Sequence, residues 1–500
     1  MKAIQKDAFR TMLLSYVGIV LGYVNKGILF LLILSTEQIG LINLLISVGT
    51  LFAQFSNFGT VYSTWKFFPF FKNKALKNHG FLSFILLIVS VGVLICSTLA
   101  LFFSSEIAIL YQARSPLFIS YYLWVLPIGI SLVFYLVLEI YLRSFFKNII
   151  SVFAFDIVLR VLTTGLLLFY WMKLFSFHTF VVFHSLLYVI PPLILVLYLI
   201  KIKEFYITFR RIKISKRFKR IIFNYSLINY LNTLGSVVVS SLDVMMIAAM
   251  VGLKATGVYT TIMFLVSAIQ VPYKSLIRIS SPLVAEYWKT NDLQRMQELY
   301  KKVSSFGLFS GWIAFIFLWL NIDLLFSFLK PEFQSGIWMF FFLMIGKLVD
   351  MFFGLNGSIF TSSKKYIYDI YFTLFLILAV VLLNLLFIPW WGGIGAAIST
   401  TIAIVFYNLG RVLMIWKLYQ IHPFTLQQFQ IIGLGLIALF FGFFVDGMVV
   451  NYWIQLIFQS IVLLTVFVAP VYFFKLQPEL VTYVNNGVGF IRKKLFKTGE

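Results

Sequence analysis

The sequence predicts an all-α integral membrane protein of about fourteen transmembrane helices, and three observations carry that reading. Of 500 residues, 61% are hydrophobic and only 11% are charged, too little charge for the water-facing surface of a soluble chain. The apolar residues come in runs of about 20, the length of an α-helix that crosses the hydrocarbon core, and not in the short alternating segments of a barrel. The basic residues are placed unevenly between those runs.

Fourteen spans follow in order, near 11–34, 38–62, 81–104, 118–141, 152–172, 179–200, 223–251, 257–278, 303–328, 335–360, 368–388, 394–416, 429–447 and 453–474. The connections at 1–10, 63–80, 142–151, 201–222, 279–302, 361–367, 417–428 and 475–500 hold 30 of the 40 lysines and arginines. The opposite set holds only Arg114, Lys173, Lys254 and Lys330. By the positive-inside rule, both termini are expected in the cytoplasm, in a bacterial inner membrane. The net charge of +23 then reports topology, which argues against a nucleic-acid partner. The first span is too long for the apolar region of a signal peptide and reads as an uncleaved anchor.

Several chemistries find no support. Cys96 stands alone in an apolar run, and His79, His178, His184 and His422 are scattered, so neither a disulfide framework nor a metal cluster is expected. There is no Walker A loop, His-Glu metal motif or nucleophile elbow, and no connection is long enough for a catalytic domain. No cofactor is expected. Aromatic residues make up 19% of the chain, and "PWW" at 389–391 suits an outer interfacial belt.

The chain divides at the basic stretch "KIKEFYITFRRIKISKRFKR" (201–220). The expected organisation is a six-helix bundle at 1–200, a basic cytoplasmic linker at 201–222, a second six-helix bundle at 223–420, two further helices at 421–474 and a basic tail at 475–500. The linker is too polar to insert and reads as amphipathic, a topology determinant that meets anionic lipids of the inner leaflet. The segment "YWKTNDLQRMQELYKKV" reads as a short surface helix capped by Asn291 or Asp292. The halves echo each other: Gly40 starts the second span and Gly257 the eighth, with Gln54 and Gln270 thirteen or fourteen residues on. Internal repeats are a common way to build transporters.

Polar groups within spans are the informative positions, since a charge near the bilayer centre costs about 2.5–3.5 kcal/mol on insertion scales. Lys26 lies about 22 Å along the first span at 1.5 Å per residue, on a small, partly polar face with Ser15, Gly18 and Gly22. Arg160, about 12 Å into the fifth span, follows Asp156 by one turn, a spacing that suits either mutual neutralisation or a cavity. Lys347 lies near the middle of the tenth span, with Asp350 three residues on. Two polar stripes complete the set: Asn43, Ser47, Thr50, Gln54 and Asn57 on the second span, and Asn229, Asn232, Thr233, Ser236, Ser240 and Asp243 on the seventh. Interhelical packing accounts for such stripes, as does a hydrophilic cavity. In "IQVPYKSLIRIS" (269–280), Lys274 is about 25 Å and Arg278 about 31 Å from Gly257. Arg278 reads as a snorkelling residue, Lys274 as a cation at a cavity mouth beside Gln270, and Pro272 as a point of bending. The candidate cavity set is therefore Lys26, Arg160, Lys274, Lys347, Gln54, Gln270, Asn43, Asn229 and Asn232, with Asp243, Asp350 and Asp156 as candidates for ion coupling.

Three stretches, "SLDVMMIAAMVGLKATGVYTT", "LLNLLFIPWWGGIGAAISTTIA" and "STEQIGLINLLISVG" with "FGTVYSTWKFFPFF", give the chain a pattern that resembles the polysaccharide-transport branch of the multidrug/oligosaccharidyl-lipid/polysaccharide exporter superfamily. The resemblance implies two pseudo-symmetric six-helix bundles in a V with two added helices, and alternating access. It further implies a lipid-linked oligosaccharide on polyprenyl pyrophosphate as cargo, for surface polysaccharide or lipopolysaccharide biosynthesis, with glycan-assembly enzymes as candidate partners. Lys26, Arg160 and Lys347 are the in-membrane cations suited to a pyrophosphate. A peptidoglycan-precursor flippase would share the helix number and the cations. A multidrug exporter would favour twelve helices and an acidic cavity, and a membrane-embedded glycan polymerase or ligase would need a larger outer loop.

Overall fold

The computed structural model describes residues 2–208, 216–446 and 451–478. Among them every regular element is helical. Thirteen helices are long and apolar enough to cross a membrane, and one bent pair makes a fourteenth. In order they are α1 (Leu13–Ile33), α2 (Thr36–Ser56), α3 (Lys77–Phe102), α4 (Pro116–Arg143), α5 (Ile149–Trp171), α6 (Phe177–Lys201), α7 (Arg220–Met250), α8 (Leu253–Ser267 and Gln270–Thr290), α9 (Leu293–Leu320), α10 (Pro331–Phe353), α11 (Ile367–Trp391), α12 (Gly393–Tyr419), α13 (Leu426–Phe444) and α14 (Tyr452–Phe473). Every apolar run read from the sequence overlaps one of them.

The helices differ from the sequence reading where polar chain continues a helix. The charged segment after Asp292 is no separate surface helix. Asp292 caps it, accepting from the Arg295 amide at 3.0 Å, and the helix then runs unbroken into α9. Asn291, at φ 57°, ends the preceding helix. Lys216–Arg220, from the basic linker, form the first turn of the α7 helix. The earlier part of the linker is docked: Ser83 Oγ donates to the Tyr206 carbonyl at 3.1 Å and accepts from the Thr208 amide at 2.7 Å.

The two pieces of α8 meet at 56°. Pro272 is the cause, acting one turn upstream. Its ring clashes with the carbonyl four residues back and it supplies no amide, and the break falls at Ala268–Ile269. There the amides of Ala268, Ile269 and Val271 turn to carbonyls three residues back, at 3.2, 3.3 and 3.1 Å, the tighter 3₁₀ pattern.

By packing the chain forms two compact units, one of Met1–Phe264 with Thr373–Ala396 and one of Leu265–Phe372 with Ala397–Glu500. This division differs from the expected break at 201–222, because α7 packs on α2. In the first unit α2 lies against α4, and Gly49 and Gly129 leave room for Ile128 and Phe52 respectively. At the start of α2 and α8 the contact is reciprocal. A Cβ on Gly40 would strike the Leu253 carbonyl, and one on Gly257 would strike the Thr36 carbonyl. Each glycine thus faces the carbonyl of the residue four positions before the other. In the second unit α9 packs against α10, α13 and the second piece of α8, with Gly311 and Gly435 receiving Leu348 and Trp312.

Candidate functional site

In the first unit, α1 and α5 each contain a π-helical turn, Val24–Leu29 and Phe153–Val158, a feature that recurs at functional sites. The small face of α1 predicted from Gly18, Gly22 and Lys26 is where α5 docks. A Cβ on Gly18 would lie 2.6 Å from Asp156 Cβ, and one on Gly22 would meet the Arg160 guanidinium. Arg160 pairs with Asp156 at 3.0 Å and also donates to the Gly18 carbonyl. Asn25, which the sequence reading passed over, is buried here. It donates to the Arg160 carbonyl at 2.8 Å and accepts from Thr164 at 2.7 Å. Asp156 and Arg160 therefore tie two helices together.

Lys26 is half-buried on the π turn of α1. Its Nζ donates to Asn43 Oδ1 at 3.1 Å, and Asn43 donates onward to Thr260 at 3.1 Å. Its electrostatic neighbours are Arg160 and His184, so no carboxylate balances it among the described residues. His184 is buried on α6, its Nδ1 without a hydrogen-bond partner. Further along the α2 stripe Ser47 and Thr50 are half-buried, and Gln54 is buried and accepts from Asn57 at 3.2 Å. On α7, Asn229 is half-buried and donates to the Tyr225 carbonyl, while the Asn232 side chain lies outside the described ones. Asp243 is 2% exposed and accepts from Tyr259 at 2.7 Å and from Asn384 at 2.8 Å.

The second unit gathers a larger polar cluster. Asp350 accepts from Gln270 at 3.0 Å and from Asn408 at 3.4 Å, and Asn408 accepts from Asn356 at 2.7 Å. Tyr273, on the same turn as Gln270, donates to the Gly354 carbonyl at 2.8 Å. Arg411, Asn408 and Asn356 had no place in the sequence-based site. Arg411 is buried, forms an ion pair with Asp369 of α11 and lies 4.2 Å from the Tyr407 ring centre. Beside this network stand two cations of another kind. Lys274 is exposed and Lys347 half-buried, and among the described residues neither makes a hydrogen bond or an ion pair. They are close enough to repel each other, with Asp350 as the nearby counter-charge.

The predicted residues thus differ in what they touch. Arg160, Asp156, Asp243, Gln270 and Asp350 take part in contacts that link helices, whereas Gln54 bonds to Asn57 at the end of its own helix. Lys26, Lys274 and Lys347 stay free of carboxylate contact. Among the described residues, no three His, Cys, Asp or Glu side chains come together in a metal-binding arrangement.

No family model and no curated relative matches the sequence. Solved structures match its fold throughout. A lipid II flippase, MurJ, in an inward closed conformation is 15% identical over 95% of this chain and 99% of its own, with a TM-score of 0.67. An inward-facing multidrug resistance transporter of the MATE family is 15% identical over 81% and 97%, with a TM-score of 0.64. A MOP-superfamily transporter from Pyrococcus furiosus, described as having a binding pocket of reversed polarity, is 16% identical over 82% and 95%, with a TM-score of 0.56. The chain shares its fold with these solved transporters, a lipid II flippase and a multidrug resistance transporter among them.

Proposed function

We propose that the protein is an alternating-access flippase that moves a polyprenyl-pyrophosphate-linked oligosaccharide from the inner to the outer leaflet of a bacterial cytoplasmic membrane. The supporting observation is an imbalance of intramembrane charge. Asp156, Asp243, Asp350 and Asp369 all accept from donors within the fold. Lys26, Lys274 and Lys347 have no carboxylate contact among the described residues. Charges kept within a membrane mark substrate pathways, and these suit an anion. A cationic drug would need the reverse. With the cell interior negative, outward movement of each negative charge gains about 2.3 kcal/mol per 100 mV.

A peptidoglycan precursor is the second reading, favoured by the lipid II flippase match over 95% of the chain. It carries the same pyrophosphate chemistry, so the sugar decides between the two. The test is depletion of the protein followed by identification of the lipid-linked intermediate that accumulates. A lipid-linked oligosaccharide supports the proposal, whereas a peptidoglycan precursor replaces it with the second reading. In the same cells Lys26→Ala and Lys347→Ala should each lower export at least tenfold with membrane levels unchanged. Full export by both variants would remove the pyrophosphate role.

A further inference from the structure

A groove of about 690 Å³ runs between α3, α4 and α6 in the first unit. This lies within the ~300–1,000 Å³ of small-molecule sites, yet its lining is nearly all hydrocarbon. Along α4, Leu123, Leu126, Ile130, Phe134 and Leu138 follow one face, a stripe of about 22 Å at 1.5 Å per residue. That is longer than half of the ~30 Å hydrocarbon core, so a chain inserted from either end is covered through its own leaflet.

Both principal walls are broken helices. The start of α4 has a 3₁₀ turn at Tyr122–Trp124 and then Pro127. The α6 helix stops at Leu187 and restarts at Ile190 with two prolines. Pro127 and Pro192 both line the groove.

At one end of the groove the adjoining stretch of chain carries basic residues. Phe205, just past the end of α6, contributes to the lining, and its neighbours hold it in place. Glu204 is buried, accepts from Asn78 at 3.0 Å and pairs with Lys74 at 3.2 Å, while Ser83 ties down Tyr206 and Thr208. Lys201 and Lys203, just before that anchor, are exposed, and their side chains make no hydrogen bond or ion pair among the described residues. Apolar grooves that end in basic groups between transmembrane helices suit acidic lipid headgroups. None of Lys26, Asn43 or Asn229 lines this groove, so it is separate from the cation site proposed for the cargo's pyrophosphate.

We propose that the groove holds one acyl chain of an anionic membrane phospholipid, whose headgroup sits at Lys201 and Lys203. The test is native mass spectrometry of the full-length protein in detergent, with equal dioleoyl-phosphatidylglycerol and dioleoyl-phosphatidylethanolamine as probes. The expected result is one phosphatidylglycerol retained per chain, at least tenfold over phosphatidylethanolamine. Leu193→Trp, at the exposed rim, should lower that retention at least fivefold. The double substitution Lys201→Gln/Lys203→Gln should remove the headgroup preference while leaving the rim open. Size-exclusion profiles identify any variant that has lost its fold, and Val189→Trp then replaces Leu193→Trp. Equal retention of both lipids, retention unaffected by either tryptophan, or a polyprenyl phosphate as the sole retained lipid would overturn the proposal.

Discussion

At the scale of single residues, Asp156, Asp243, Asp350 and Asp369 each accept from donors within the fold. Asp369 and Arg411 show the stakes. Removing one partner of a buried pair leaves the other charge uncompensated, at a cost of about 3–5 kcal/mol, whereas replacing both by apolar groups is often neutral or stabilising. Asp369→Asn should therefore lower the melting temperature in detergent markedly, and Asp369→Leu combined with Arg411→Met should recover most of it. An unchanged melt for Asp369→Asn would show that the pair is not structural. The sequence disclosed the cations themselves, because a lysine inside an apolar run is conspicuous. It did not disclose their partners. Asp156 and Arg160 were legible as a pair because they are four residues apart. Asp369 and Arg411 are 42 residues apart, and Asp243 and Asn384 are 141 apart, on helices whose neighbours no local pattern specifies.

At the scale of elements, the fourteen apolar runs were legible because water-to-lipid transfer sets their length. The π turns of α1 and α5 left no mark, since one inserted residue changes neither composition nor hydropathy. The surface helix before α9 was misplaced for a similar reason: charge sets where a helix leaves the membrane, not where it ends. The bend in α8 was half legible, as Pro272 announced it but the displaced bonds lie at Ala268–Ile269. If the bend serves the transport cycle, Pro272→Ala should restore the missing amide, narrow the 56° angle and slow transport several-fold. Spin labels at Thr261 and Ser281, measured by pulsed electron resonance, report the angle. A lengthened distance with normal transport would make the bend incidental.

At the scale of the whole molecule, the uneven basic residues give a topology that can be tested directly. With Cys96 replaced by Ala, single cysteines at Arg114, Lys254 and Lys330 should react with an impermeant thiol reagent in intact cells. Cysteines at Lys77 and Lys289 should react only after lysis, and the opposite pattern would invert the orientation. The sequence reading expects two halves with a shared plan, through Gly40 and Gly257, but does not disclose that these glycines meet. That meeting has a genetic consequence. Gly40→Ala and Gly257→Ala strike one junction from opposite sides, and overpacking there costs about 1–3 kcal/mol. Second-site revertants of Gly40→Ala should therefore cluster around 253–257, more than two hundred positions along the chain, and revertants of Gly257→Ala around 36–40. Selection would see two distant codons as one locus.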